Sequence, residues 1–132
     1  MNIIAPDIHW AVIVITCCFI LFDILTGFIQ AVVNKEVDSQ VMKKGLWHKC
    51  GFILAIIFGC LCEYTIFYID LGFTLPIQNA VCIYIIATEI ISILENLAKI
   101  SPALADAKFM NIFKGVNNDW NSADYPIYHD YD

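Results

Sequence analysis

Charge is scarce in this chain, and positive charge is scarcer still: 15% of its 132 residues are charged, 7 of them Lys or Arg against 13 Asp or Glu, for a formal net charge of -6. That balance argues against a nucleic-acid partner, which needs a basic face to neutralise phosphates. The inventory of an enzyme is also missing. There is no Ser, His and Asp arrangement at a plausible site, no Gly-rich phosphate loop and no zinc-ligand pair, so no catalytic residue and no cofactor is expected. Cys60 and Cys62 stand about 200° apart on a helix, and the three histidines are scattered at 9, 48 and 129, which leaves no metal site. All six cysteines (Cys17, Cys18, Cys50, Cys60, Cys62, Cys82) lie in or beside apolar segments and read as small hydrophobes, not as a disulfide framework. Residues 1–7 hold no Lys or Arg and no small-residue cleavage site follows them, so the first apolar segment is expected to be retained, unlike a signal peptide.

What the chain has instead is apolar length. With 60% hydrophobic residues it is too apolar for a soluble fold of this size. The sequence predicts an all-α integral membrane protein with a three-helix transmembrane domain over 1–100, its spans at about 8–33, 46–69 and 76–99, each near the 20 apolar residues that a bilayer requires. An amphipathic helix at the membrane surface is expected over 101–116, where Phe109, Ile112, Phe113 and Val116 recur at helical spacing. An acidic, disordered tail is expected over 117–132. Lys35, Lys43, Lys44 and Lys49 follow the first span, which by the positive-inside rule puts that loop in the cytoplasm, the N-terminus outside and the C-terminus inside. Ser39 is the expected N-cap of a short turn before Gly45.

Each span carries one stripe that is small or polar. In the first, Thr16, Asp23, Gly27, Gln30 and Asn34 fall on one side, and Gly27 with Ala31 makes a small-xxx-small pair suited to close helix packing. In the second, Gly51, Ala55 and Gly59 recur every fourth residue and Glu63 continues the line. In the third, Glu89, Ser92, Asn96 and Lys99 gather on one side, opposite Ile and Leu. An intramembrane acid faces protein or water, not acyl chains. Helical rise places Asp23 and Glu89 each about 15 Å from the inner surface. No basic residue is expected at their depth, so polar neighbours or water are their expected company. Lys49, Glu95 and Lys99 lie nearer that surface, where Lys49 can pair with Glu95, and Glu95 with Lys99 one turn on.

The run EIISILEN, Glu89 to Asn96, resembles the E-x-x-S-I-L-E-N signature of the bacteriophage lysis and toxin-secretion holins. DILTGFIQA, from Asp23 to Ala31, and SQVMKKGLWHK, from Ser39 to Lys49, are similar to two further family motifs in the same order. The resemblance covers most of residues 20–100. It singles out Asp23, Thr26, Gly27, Gly45, Lys49, Glu89, Ser92, Glu95 and Asn96. It implies a homo-oligomeric pore in the bacterial inner membrane that lets a cell-wall hydrolase or toxin escape, its partners being lipid and its own copies, with no direct contact to the released protein required. The acidic tail departs from the short basic ending usual in the family.

On this reading Asp23, Glu63, Glu89, Ser92 and Asn96 are candidates for pore lining or gating, and Gly27, Ala31, Gly51, Ala55 and Gly59 for helix packing. Alternatives from another class remain at this point: a small oligomeric ion channel, a membrane scaffold, or an antiholin that blocks a partner's pore. The size of the solute released separates them.

Overall fold

A computed structural model describes residues 8–69, 72–73 and 75–105, and these form helices with short connections. Helix α1 spans Trp10–Val33, α2 Ser39–Tyr68, α3 Ile77–Ile100, and α4 is a single turn at Pro102–Ala105. The first three are long and apolar enough to cross a membrane. The interfacial helix expected over 101–116 lies outside the described residues beyond 105, and so does the acidic tail.

Local chemistry sets the ends of these helices. α1 stops in a pair of bonds that closes a helix C-terminus: the Glu36 N–H donates to the Ala31 carbonyl at 2.9 Å and the Lys35 N–H to Val32 at 3.2 Å. Lys35 takes the left-handed position usually given to glycine, with φ 57°. Asp38, extended at φ -115°, then caps α2 by accepting the Gln40 N–H at 2.7 Å. The cap is therefore Asp38, not the expected Ser39. Consequently α2 begins seven residues before the predicted 46 and runs unbroken through Gly45 for 30 residues, about 45 Å, beyond the roughly 30 Å of a bilayer core.

α3 follows Pro76, which offers no side-chain cap. A carboxylate from the preceding helix substitutes, as Glu63 Oε1 of α2 accepts the Gln78 N–H at 3.0 Å. An acid at a helix N-terminus also meets the positive end of the helix dipole.

The three helices run up, down and up, so α1 and α3 are parallel. Contacts from His9 to Gln78 at one end and from Asp23 to Asn96 toward the other fix that register. α3 packs against both neighbours, while α1 and α2 touch each other little. Between them Ile20, Phe52, Ile56, Cys82 and Ile85 form a small apolar cluster. The outside is more apolar than much of the inside. Leu21, Leu25, Phe28, Leu54, Phe58, Leu61 and Ile83 are exposed, whereas Thr16, Asp23, Thr26, Gln78 and Glu89 are buried. Such inversion suits lipid, where apolar contact gives helices no reason to associate and polar or small residues take over.

Candidate functional site: a charged layer between the helices

Glu89 is fully buried in the middle of α3, and Asp23 is buried near the middle of α1. Lys49 of α2 reaches both. Its Nζ donates to both carboxylate oxygens of Glu89 and stands 2.8 Å from Asp23 Oδ2. One lysine thus ties all three helices together. Asn96 extends the layer along the α1 to α3 seam, its Nδ2 donating to Asp23 Oδ1 at 3.2 Å and to Thr26 Oγ1 at 3.3 Å. Thr26 in turn donates to the Asp23 carbonyl at 3.1 Å. The Lys49 ammonium also lies 5.5 Å from the Phe52 ring centroid, and the His48 ring meets Phe52 edge-on.

This arrangement corrects two expectations. A basic residue does stand at the depth of Asp23 and Glu89, and Lys49 pairs with them, not with Glu95. The cause is the early start of α2. Depth counted from Lys49 as a membrane edge is wrong, because Lys49 lies ten residues into the helix, about 15 Å from its first residue. Asp23 lies ten residues before the end of α1, so the two side chains meet at one level. Glu95 and Lys99 are exposed, and among the described residues both ion pairs belong to Lys49.

A second polar layer lies toward the other end. Gln78 is fully buried, its Nε2 donating to the His9 carbonyl at 3.4 Å and its backbone N–H to Glu63. Gly59 of α2 sits directly over it: a Cβ at that glycine would stand 3.1 Å from Gln78 Cα. Thr16, fully buried on α1, is satisfied within its helix by the Val12 carbonyl at 2.7 Å.

The other expected residues sort themselves by exposure. Ser92 and Asn96 are half-buried, as are Ala31 and Ala55. A Cβ at Gly27 would meet Asn96 Nδ2 at 3.5 Å, while one at Gly51 would meet nothing within 4 Å. Sequence reasoning passed over Gln78 as a site residue. Its position eleven residues before Glu89, three turns along one face, was the available signal.

No group of three or more His, Cys, Asp or Glu among the described residues is placed to hold a metal ion. What the site offers is an ionic latch. Two carboxylates face one ammonium, so with all three ionised the layer carries one net negative charge. Breaking a buried pair by removal of one partner costs about 3–5 kcal/mol.

The residues of this latch come from three separated runs: Asp23 and Thr26 from the first, Lys49 from the second, Glu89 and Asn96 from the third. Those are the runs that resemble holin motifs, and the bacteriophage holin family matches the chain over residues 8–116. The chain belongs to the bacteriophage holin family. It is thus a multi-pass membrane protein of a non-enzymatic family. No curated protein and no solved structure matches this holin.

Proposed function

We propose that this holin assembles into homo-oligomers in the bacterial cytoplasmic membrane and permeabilises it, so that a cell-wall hydrolase or an exported toxin leaves the cell and lysis follows. The observation that carries this reading is the inversion of polarity within one small chain. Among the described residues, Ile20, Phe52, Ile56, Cys82 and Ile85 fill the space between the three helices where a channel within one chain would run. Yet each helix keeps polar groups that acyl chains cannot solvate. A hole lined by those groups needs several copies.

In the closed chain Asp23, Glu89 and Asn96 are occupied by Lys49 and by one another, which leaves an apolar exterior compatible with accumulation in lipid. Opening releases the latch and turns the candidate lining residues Asp23, Glu63, Glu89, Ser92 and Asn96 toward water. Gly27, Ala31, Gly51, Ala55 and Gly59 supply the close packing within and between copies. The bundle end that carries Lys35, Lys43, Lys44 and Lys99 faces the cytoplasm by the positive-inside rule, with the N-terminus outside. Moving a charge through the membrane field is worth about 2.3 kcal/mol per 100 mV, which couples the latch to the membrane potential. The released protein needs no direct contact with the holin.

The test is inducible expression in bacteria, following membrane potential and leakage of a folded cytoplasmic reporter together in cells that also make a wall hydrolase. Abrupt depolarisation with reporter release after a lag is the expected result. Depolarisation without release of any folded protein would replace this reading by a small ion channel, and no effect on either would replace it by an antiholin or a scaffold.

A further inference from the structure

The polar contacts between α1 and α3 do not involve α2: Asn96 bonds to Asp23 and Thr26, and Gln78 bonds to the His9 carbonyl. Among the described residues, α2 makes its polar attachments at two levels, by Lys49 in one layer and by Glu63 in the other, with Phe52, Ile56 and Gly59 packed between them. Since α1 and α2 touch little, withdrawal of α2 breaks none of the hydrogen bonds that join α1 to α3. It also strips the cover from one face of α3, along which Gln78, Cys82, Ile85 and Glu89 are buried.

We infer that α2 is the element that moves when the hole opens, and that the α1 and α3 wall it uncovers favours cations over anions. This rests on the pore-forming reading above and names the class of solute that the first opening admits. Two independent observations point to a cation. The first is that a cation already occupies the wall, since the Lys49 ammonium sits between Asp23 and Glu89 as a tethered ligand. When α2 leaves, its lysine leaves with it and two carboxylates remain. The second is Gln78, which is fully buried and whose Oε1 has no hydrogen-bond partner. Gly59 seals it, and α2 must move before any solute reaches it. Gln78 and Glu89 are three turns apart on one helix face, about 16 Å along the wall. The uncovered surface therefore presents oxygen acceptors at two levels, Gln78 Oε1 at one and the Asp23 and Glu89 carboxylates at the other, the kind of lining that favours cations in membrane pores.

Cys82 lies on this face between Gln78 and Glu89 and is fully buried, whereas Cys18 is exposed on the outer side of α1. The experiment uses the full chain with Cys82 as its sole cysteine, and a matched chain with Cys18 alone, expressed in cells and treated with a cationic trimethylammonium or an anionic sulfonate methanethiosulfonate reagent before and after the onset of leakage. Cys82 is expected to become reactive only at onset, with the cationic reagent faster by about tenfold after each rate is divided by that reagent's rate with a small free thiol, the lower end of electrostatic focusing in a charged cleft. Cys18 should stay unreactive in lipid, and Glu89→Gln should shrink the difference between the two reagents. In parallel, the unaltered chain in planar bilayers under a KCl gradient should reverse its first current at a potential displaced from zero toward the potassium equilibrium potential, a reading that does not depend on how the cysteine variants fold. Leakage with Cys82 unreactive, equal normalised rates for the two reagents, or reversal at zero potential would each overturn this inference and leave the holin reading standing. Absence of any leakage from every chain would overturn both.

Discussion

The seam between α1 and α3 and the junction of α2 with that pair are built differently. Along the seam the polar contacts are spread out and modest: an amide on a backbone carbonyl and an amide shared between a carboxylate and a hydroxyl, with Gly27 close against Asn96. α2 instead concentrates its attachment in one ammonium buried between two carboxylates, plus one carboxylate capping α3. Hydrogen bonds between membrane helices average about 0.6 kcal/mol, whereas severing a buried ion pair costs about 3–5 kcal/mol. A distributed seam loosens by degrees. A concentrated one holds until a single group lets go, which is the behaviour that a lag followed by abrupt opening requires.

The largest effect is therefore expected at Lys49. Lys49→Met keeps an apolar stem of similar length but leaves Asp23 and Glu89 facing each other without a cation, which destabilises the closed chain by about 3–5 kcal/mol. Permeabilisation should begin earlier at equal protein level in the membrane fraction. Combining Lys49→Met with Asp23→Asn and Glu89→Gln removes the uncompensated charge and should restore much of the delay, since a fully neutral replacement of a buried ionic cluster is often neutral or stabilising. If onset times of the single and the triple variant coincide with that of the parent chain, the latch does not govern opening.

The latch also shows how far the sequence could be read. Three apolar spans, one polar stripe on each, and the placing of Asp23 and Glu89 against protein instead of lipid follow from composition and helical spacing alone. The partner of the acids did not follow, because depth was measured from a loop assumed to extend to Gly45. The physical cue was Asp38, an acceptor one residue ahead of a helix-compatible run, which outcompetes Ser39 as the cap and draws Lys49 seven residues further into the helix. Glu63 was recognised as an interface acid, but its role as a cap for the next helix depends on how the end of α2 meets the start of α3, which periodicity does not encode. The four-residue repeat Gly51, Ala55 and Gly59 suggested one face, and the chain uses only part of it within itself.

Gly59→Val is the next largest test, and it acts on the junction alone. Even a Cβ would stand 3.1 Å from the Gln78 backbone, so two added methyl groups push α2 from α3 at the layer where Glu63 caps. Overpacking of this kind costs about 1–3 kcal/mol, and earlier onset is expected without loss of membrane insertion. The seam offers the matched control. Asn96→Leu removes two hydrogen bonds between α1 and α3, worth about 1 kcal/mol together, and should shift onset less than Gly59→Val does. A larger shift from Asn96→Leu would mean that the seam, not the α2 junction, is the part that yields.

The smallest effect on the closed chain is expected from Gly51→Ala, and it separates packing within a chain from packing between chains. Gly51 is exposed on α2 and a methyl group there meets nothing within 4 Å, so substitution should change the thermal stability of the detergent-solubilised monomer by less than about 0.5 kcal/mol. Gly59, two turns away on the same helix, is covered by α3 and spent on intramolecular contact. If α2 associates with a second copy, the open side at Gly51 is where two backbones can approach, and small residues are what such an approach needs. Chemical cross-linking in membranes should then show fewer dimers and higher oligomers for Gly51→Ala at unchanged monomer stability, with a longer lag before permeabilisation. The sign is opposite to that of Gly59→Val: loosening the intramolecular junction hastens opening, whereas weakening contact between copies delays it. Onset times that move in the same direction for both glycines would place the whole stripe at the service of one interface.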